Sequence, residues 1–395
     1  MQNLWPEFDN QQLQAESAGR AQKQSIPLRR RPAEQVVLST LRDWLQHDYL
    51  IPYCRSLAAT RIFRRCYWID GLGGSHKSQL VLSASQEFAK ESKSIFLHYI
   101  ALESKSTKRK EASAGGTVTL PKESGSIRAN WPDAGPSLLQ AMDQSAAVFS
   151  LNPFASSPPF TFEDLSPLYQ RTAPTELCLL ISLKQVESRL IPFLRTPEGA
   201  SAFTALLRND RWKSILTDSS EKYIVEKLTG AFFVSIQQQH FLTVQQIPLL
   251  MHTAPAVVEP ISYTLIFATR RQDSLLCMND ALCIYHRRLY EQSLEGVLTE
   301  AWFSSQQRER LADEMQKMYQ RVLQQGRTQR QRRWPDLRQQ TLLTNFGQFT
   351  LHDYDSVIQK LLQSGEVRCE WRQKPVENPQ SEEQRIPGNE DILLW

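Results

Sequence analysis

The chain has 395 residues, of which 41% are hydrophobic and 22% charged, and its formal net charge is +4. That length exceeds one small core and points to two or three domains, while the composition excludes a disordered or fibrous protein. A charge surplus this small implies no polyanion partner by itself, so the placement of the cations has to be read instead.

Residues 1–32 are rich in Gln, Ala and Arg and end in Arg29-Arg30-Arg31-Pro32, which reads as an N-terminal tail. From Ala33 to Tyr53, apolar residues at Val36, Val37, Leu41, Trp44, Leu45 and Tyr49 recur at helical spacing. A short strand, Arg64–Asp70, breaks at Gly71-Leu72-Gly73-Gly74, and a helix is expected over Lys77–Lys90. The next strand, Ile95–Leu102, stops on Glu103, and residues 104–137 read as a solvated loop or insertion rich in Ser, Lys and Gly. Ala146–Leu151 is a buried strand ending in Asn152-Pro153-Phe154, and Leu177–Leu183 is another. Alternating strands and helices with nearly continuous apolar strands predict a parallel sheet covered on both faces.

Residues 184–260 are expected to be a mostly helical insertion, after which Tyr263–Ala268 resumes the sheet and a helix follows over Ser274–Tyr290. The predicted α/β domain therefore spans 33–300. A basic helical linker over 301–336 carries Arg321, Arg327, Arg330, Arg332 and Arg333. The remainder, 337–395, shows helices at Leu337–Asn345 and His352–Gln363, a Ser364-Gly365 turn and the strand Glu366–Trp371, the order of a winged helix.

The six cysteines form no CxxC pair, and the seven histidines show no metal-ligand spacing, so no metal site is expected. Scattered cysteines within apolar runs, such as Leu177-Cys178-Leu179-Leu180, read as small core residues of a reduced, intracellular protein. The opening residues lack an apolar signal region, and no apolar run approaches the ~20 residues of a membrane helix, so the expected location is cytoplasmic.

Candidate chemistry begins at the glycine turn. A strand feeding Gly71, Gly73 and Gly74 and then a helix lets backbone approach a ligand where side chains would clash. Such a bend suits the amino-acid end of S-adenosylmethionine, with Asp70 closing its amino group and Glu103, at the next strand end, taking the ribose hydroxyls. The alternative is a tight strand-to-helix turn without a ligand. Asn152, Pro153 and Phe154 lie where ligands of open α/β sheets bind. There the Asn would accept from a planar amine while Pro and Phe wall it, against the alternative of a strand ending in a turn with a buried ring. Arg327, Arg330, Arg332 and Arg333 are candidates for phosphate contact, or else solvate a helix face. Lys360 is the lone cation on the second helix of the winged pattern, beside Asp353 and Asp355, which is poor for major-groove reading and points to protein docking instead.

With these segments in order, the chain resembles the three-Cys-motif partner protein family from about Ala33 onward. The resemblance rests on Tyr67–Gly74, Phe149–Ala155, Leu265–Arg270 with Met278 and Ala281, and Phe349-Thr350-Leu351 with Ile392–Trp395. Leu72, Gly74 and Ser75 depart from the family's glycine turn, and Asn152 and Ala155 replace an Asp and a Gly. The resemblance implies a class I methyltransferase-like, Rossmann-like fold, S-adenosylmethionine as cofactor, and a Cys-rich, radical-SAM-like partner protein. The expected activity is amino-methylation on or beside nucleic acid, with DNA the expected form. The contrasting expectation is an inactive DNA-binding or adaptor subunit of a mobile-element or defence-type complex.

Overall fold

The computed structural model describes residues 33–73, 95–103, 124–155, 158–218, 221–251, 261–294, 300–329, 332–372 and 385–395. The tail over 1–32, the helix expected over Lys77–Lys90, and Gly74 and Arg330 among the candidate residues lie outside them.

The centre is a sheet of seven strands. These are β1 (Arg65–Gly71), β2 (Phe96–Leu102), β3 (Gly125–Ile127), β4 (Ala146–Leu151), β5 (Thr175–Ser182), β6 (Thr243–Met251) and β7 (Ile261–Thr269). Their order is β3-β2-β1-β4-β5-β7-β6. Strands β1 to β5 pair in parallel, and β7 runs antiparallel to both β5 and β6. The architecture is mixed α/β with a mostly parallel, Rossmann-like sheet. Every residue of β4 and β5 is buried, as strands covered on both faces must be. Pro248, which lacks the N–H a central strand requires, sits in the edge strand β6.

Helix α1 (Ala33–Trp44) passes through a π-helical turn (Leu45–Leu50) into α2 (Ile51–Ala59). Next come α3 (Trp131–Met142), α4 (Phe162–Gln170), α5 (Pro197–Leu207), α6 (Trp212–Asp218) and α7 (Glu221–Gln237). Then follow α8 (Gln272–Leu294), α9 (Glu300–Gln329), α10 (Trp334–Thr344) and α11 (Leu351–Gln363). A two-stranded antiparallel ladder of β8 (Arg368–Glu370) and β9 (Ile392–Leu394) completes the described chain.

The sheet divides two cores. On one side Tyr67, Ile69, Phe149 and Leu177 pack with Leu138, Leu165, Phe203 and Phe232 of α3, α4, α5 and α7. On the other, Trp68, Tyr99 and Cys178 join Leu41, Tyr49, Tyr53, Leu275, Met278 and Leu282 of the helices around α1, α2 and α8. That second core also takes in Met318 and Val322 of α9, Trp334 and Leu337 of α10, Tyr354 and Leu361 of α11, and Leu393 of β9.

Three expectations need correction. The 184–260 segment is helical only as far as Gln237, because Thr243–Met251 supplies the edge strand β6. Part of the expected loop over 104–137 is ordered as β3 and the start of α3. The 301–336 segment does not tether a separate domain, because α9 buries Met318, Val322 and Leu323 in the core shared with the sheet. Among the described residues no helix is long and apolar enough to cross a membrane.

Candidate functional site

The register places three of the predicted positions on one edge. Asp70 pairs with Ala101 of β2 and Ser150 of β4, and Gly71 pairs with Leu151, so Glu103 and Asn152 leave their strands on either side of the β1 turn. Neighbouring strands lie ~4.8 Å apart, which sets Glu103 and Asn152 about 10 Å from each other with the glycine turn between them. The strand order reverses between β1 and β4, and open α/β sheets bind ligands in the crevice at such a switch point.

The two described glycines of the turn have different reasons to be glycine. A Cβ on Gly71 would meet Leu151 Cδ2 at 2.8 Å, so a larger residue there would have to push the Leu151 side chain of β4 aside. Gly73 has φ +85°, the left-handed region that favours glycine, and among the described residues a Cβ there would meet nothing within 4 Å.

Asp70 is 1% exposed and its carboxylate is fully engaged. Oδ2 accepts from Arg42 Nε at 2.5 Å and from the Tyr99 hydroxyl at 2.7 Å; Oδ1 accepts from Arg42 Nη2 at 3.2 Å and from the Leu72 N–H at 3.1 Å. The role expected for Asp70, closing a cofactor's amino end, is thereby taken by a protein side chain. Arg42 Nη2 also donates to the Gly73 carbonyl at 2.7 Å, while Nη1 is buried and has no hydrogen-bond partner among the described residues. Burial opposes the charge on Arg42, but the facing Asp70 outweighs it and holds the guanidinium above its ordinary value. Burial, reinforced by Asp70, raises the Tyr99 phenol well above its usual range.

Asn152 is 3% exposed, with Nδ2 donating to Gln185 Oε1 at 2.9 Å and Oδ1 accepting the Phe154 N–H at 3.2 Å. The side chain therefore holds the Asn152-Pro153-Phe154 turn against the segment after β5. Phe154 is 1% exposed, and its ring meets Phe232 of α7 edge-on at 5.3 Å between centroids. In this arrangement the ring belongs to the core and does not wall an acceptor. Pro153 is buried too, and its carbonyl accepts the Phe160 N–H at 2.9 Å. Glu103 is half-buried, and its N–H donates to the Ile127 carbonyl of β3 at 2.8 Å. Its place after the last residue of β2 puts it on the same edge as the glycine turn.

Sequence reasoning passed over Arg42, Tyr99 and Gln185. A signal for Arg42 was present, since it lies beside the buried Leu38 and Leu41 of α1 and Leu45 of the π-helical turn, where an arginine requires a partner.

Of the arginines proposed for phosphate contact, Arg327, Arg332 and Arg333 are among the described residues. Arg327, at the end of α9, is bonded to Glu366, whereas Arg332 and Arg333 are exposed. The Arg332 carbonyl accepts the Leu393 N–H at 2.7 Å, which ties the start of α10 to β9. A cavity of about 430 Å³ lies between α9 and α11, lined by Leu311, Met315, Tyr319, Val357 and Lys360.

No protein-family model matches this chain, and no curated protein matches it.

Proposed function

We propose that this chain is a class I methyltransferase-like protein that binds S-adenosylmethionine at the carboxyl ends of β1 and β2 and works on or beside nucleic acid. The strand order carries the reading. A dinucleotide-binding sheet continues its order with parallel strands, whereas here an antiparallel β7 is inserted between β5 and β6, which sets this sheet apart from that class and supports the methyltransferase-like reading. The resemblance to three-Cys-motif partner proteins supports the same reading and adds the Cys-rich, radical-SAM-like partner.

Glu103 would hold the ribose hydroxyls, and Gly71 and Gly73 would let the backbone approach the ligand. When bound, the cofactor supplies an electrophilic methyl group. Arg332 and Arg333 are the exposed cations that would meet phosphate.

A second reading is an inactive adaptor that binds DNA in a larger complex. It is favoured by Asn152 and Phe154, which are occupied with holding the chain rather than facing an acceptor. Titration calorimetry of the full chain with S-adenosylmethionine tests the leading reading. Heat of binding that is abolished by Glu103→Ala is the expected result, and no heat at millimolar ligand overturns it.

A further inference from the structure

Helix α9 turns an apolar stripe toward α11. Leu311, Met315 and Tyr319 stand four residues apart, so they share one face of the helix, and each is half-buried. Val357 of α11 is buried and lines the same cavity, and the Tyr319 hydroxyl meets Ser364 Oγ at 3.1 Å, joining α9 to the end of α11. The cavity of about 430 Å³ between the two helices has the size of a ligand pocket. Its one charged lining residue is Lys360, which is exposed and, among the described residues, makes no ion pair. An apolar groove with a single cation at its rim fits a peptide that brings large apolar side chains and an acid together.

We propose that this groove receives residues 4–9 of the same chain, Leu4-Trp5-Pro6-Glu7-Phe8-Asp9, with Trp5 and Phe8 in the cavity and Glu7 or Asp9 facing Lys360. Charge and composition select that occupant. Residues 1–19 carry Glu7, Asp9 and Glu16 and no Lys or Arg, so the segment is acidic where the groove is basic. Of the other long stretches outside the described residues, 74–94 and 104–123 carry more Lys and Arg than acids. The stretches 252–260, 295–299 and 373–384 contain no Phe, Trp or Tyr. Aromatic rings supply a large apolar contact with few rotatable bonds, so docking them orders little. Reach is no obstacle: residues 10–32 can span up to about 75 Å, against a radius of gyration of about 21 Å for a folded chain of this length. The docking does not depend on the cofactor reading above.

The test uses the full chain with the photo-reactive aromatic p-benzoylphenylalanine in place of Phe8. After irradiation, mass spectrometry should map the cross-links to residues 311–319 of α9 and 357–360 of α11. Lys360 is exposed, so Lys360→Glu leaves the core intact, and it should lower the cross-link yield about two- to fivefold, the scale of one exposed ion pair. Glu7→Lys with Asp9→Lys in the Lys360→Glu background should restore the yield. Cross-links that fall elsewhere, or a yield indifferent to Lys360→Glu, overturn the proposal. Failure of the reversed charges to restore the yield overturns the pairing with Lys360. Irradiating a mixture of light and isotope-heavy chains identifies the source of the segment. Products carrying one label are expected, and products carrying both would put the segment on a second copy and overturn docking within the chain.

Discussion

The phenolic hydroxyl of Tyr53 donates to Oε1 of Glu176 at 2.8 Å, joining α2 to the amino-terminal end of β5 across 123 residues of sequence. Ser274 of α8 donates to the other carboxylate oxygen at 2.8 Å, and Tyr49 meets that serine at 2.9 Å. Asp273 and Arg271 lie close by, paired with each other. Burial pushes the Glu176 carboxyl up to about 7, although the hydroxyls of Thr269, Tyr53 and Ser274 pull it back.

This carboxyl makes stability depend on pH. Unfolded, Glu176 titrates near the usual 4.5, and the folded protein prefers it protonated. Its stabilising contribution is fully present below the unfolded value and is lost as pH rises through about 7, an effect of about 3 kcal/mol in all. Denaturant midpoints measured from pH 5 to 8.5 should fall for the wild type and stay flatter for Glu176→Gln. Parallel curves would refute the assignment.

The buried pair at the glycine turn predicts a non-additive cycle. Arg42→Met alone strands the Asp70 carboxylate and should cost about 3–5 kcal/mol in urea unfolding. Adding Asp70→Asn should recover most of that loss, since the remaining groups are neutral. Additive losses would show that the two side chains do not depend on each other.

Asn152→Ala should cost about 1–2 kcal/mol, through loss of the Gln185 bond and of the cap on the Phe154 N–H. Phe154→Ala, which empties a core position against Phe232, should cost about 3–5 kcal/mol. Thermal denaturation distinguishes these structural roles from a role confined to an acceptor, for which stability would be unchanged.

The sheet was legible because its strands are short apolar runs punctuated by Gly, Glu and Asn-Pro. Ala146–Leu151 was located to the residue. The antiparallel direction of β7 and the edge strand β6 were not legible. Thr243–Met251 contains Gln245, Gln246 and Pro248, a pattern that resembles loop when only local propensity is consulted. At the candidate site, local pattern brought Gly71, Glu103 and Asn152 to one edge. It could not show that Asp70 is occupied, because Arg42 arrives from 28 residues upstream, on a helix whose approach depends on the folded core.

For the nucleic-acid reading, Arg332→Ala with Arg333→Ala should lower the slope of log affinity against log salt by about 0.9 for each phosphate contact removed. Arg327→Ala should change the slope less, since that guanidinium is already neutralised by Glu366. An unchanged slope in the double variant would assign those arginines to solvation of the helix ends.

Gly347 turns with φ +73°, and a Cβ there would meet Leu282 Cβ of α8 at 2.8 Å. Gly347→Ala should therefore cost at least about 1–2 kcal/mol from backbone strain alone, before the clash is counted. Differential scanning calorimetry of this variant would show the loss as a lower midpoint for the whole protein.

That expectation of a shared midpoint follows from how α8 meets the turn before α11. Asn279 accepts the Gly347 N–H at 2.9 Å and donates to the Phe349 carbonyl at 2.8 Å, while Asp280 accepts the Leu351 N–H at 2.9 Å. Met278 and Leu282, on the same helix, lie in one apolar cluster with Trp334, Tyr354 and Leu361. The C-terminal helices are therefore not an appendage that can be cut away or swapped. A truncated chain ending near residue 330 would expose the flank of α8 to water, and the sheet would lose its cooperativity along with its cover.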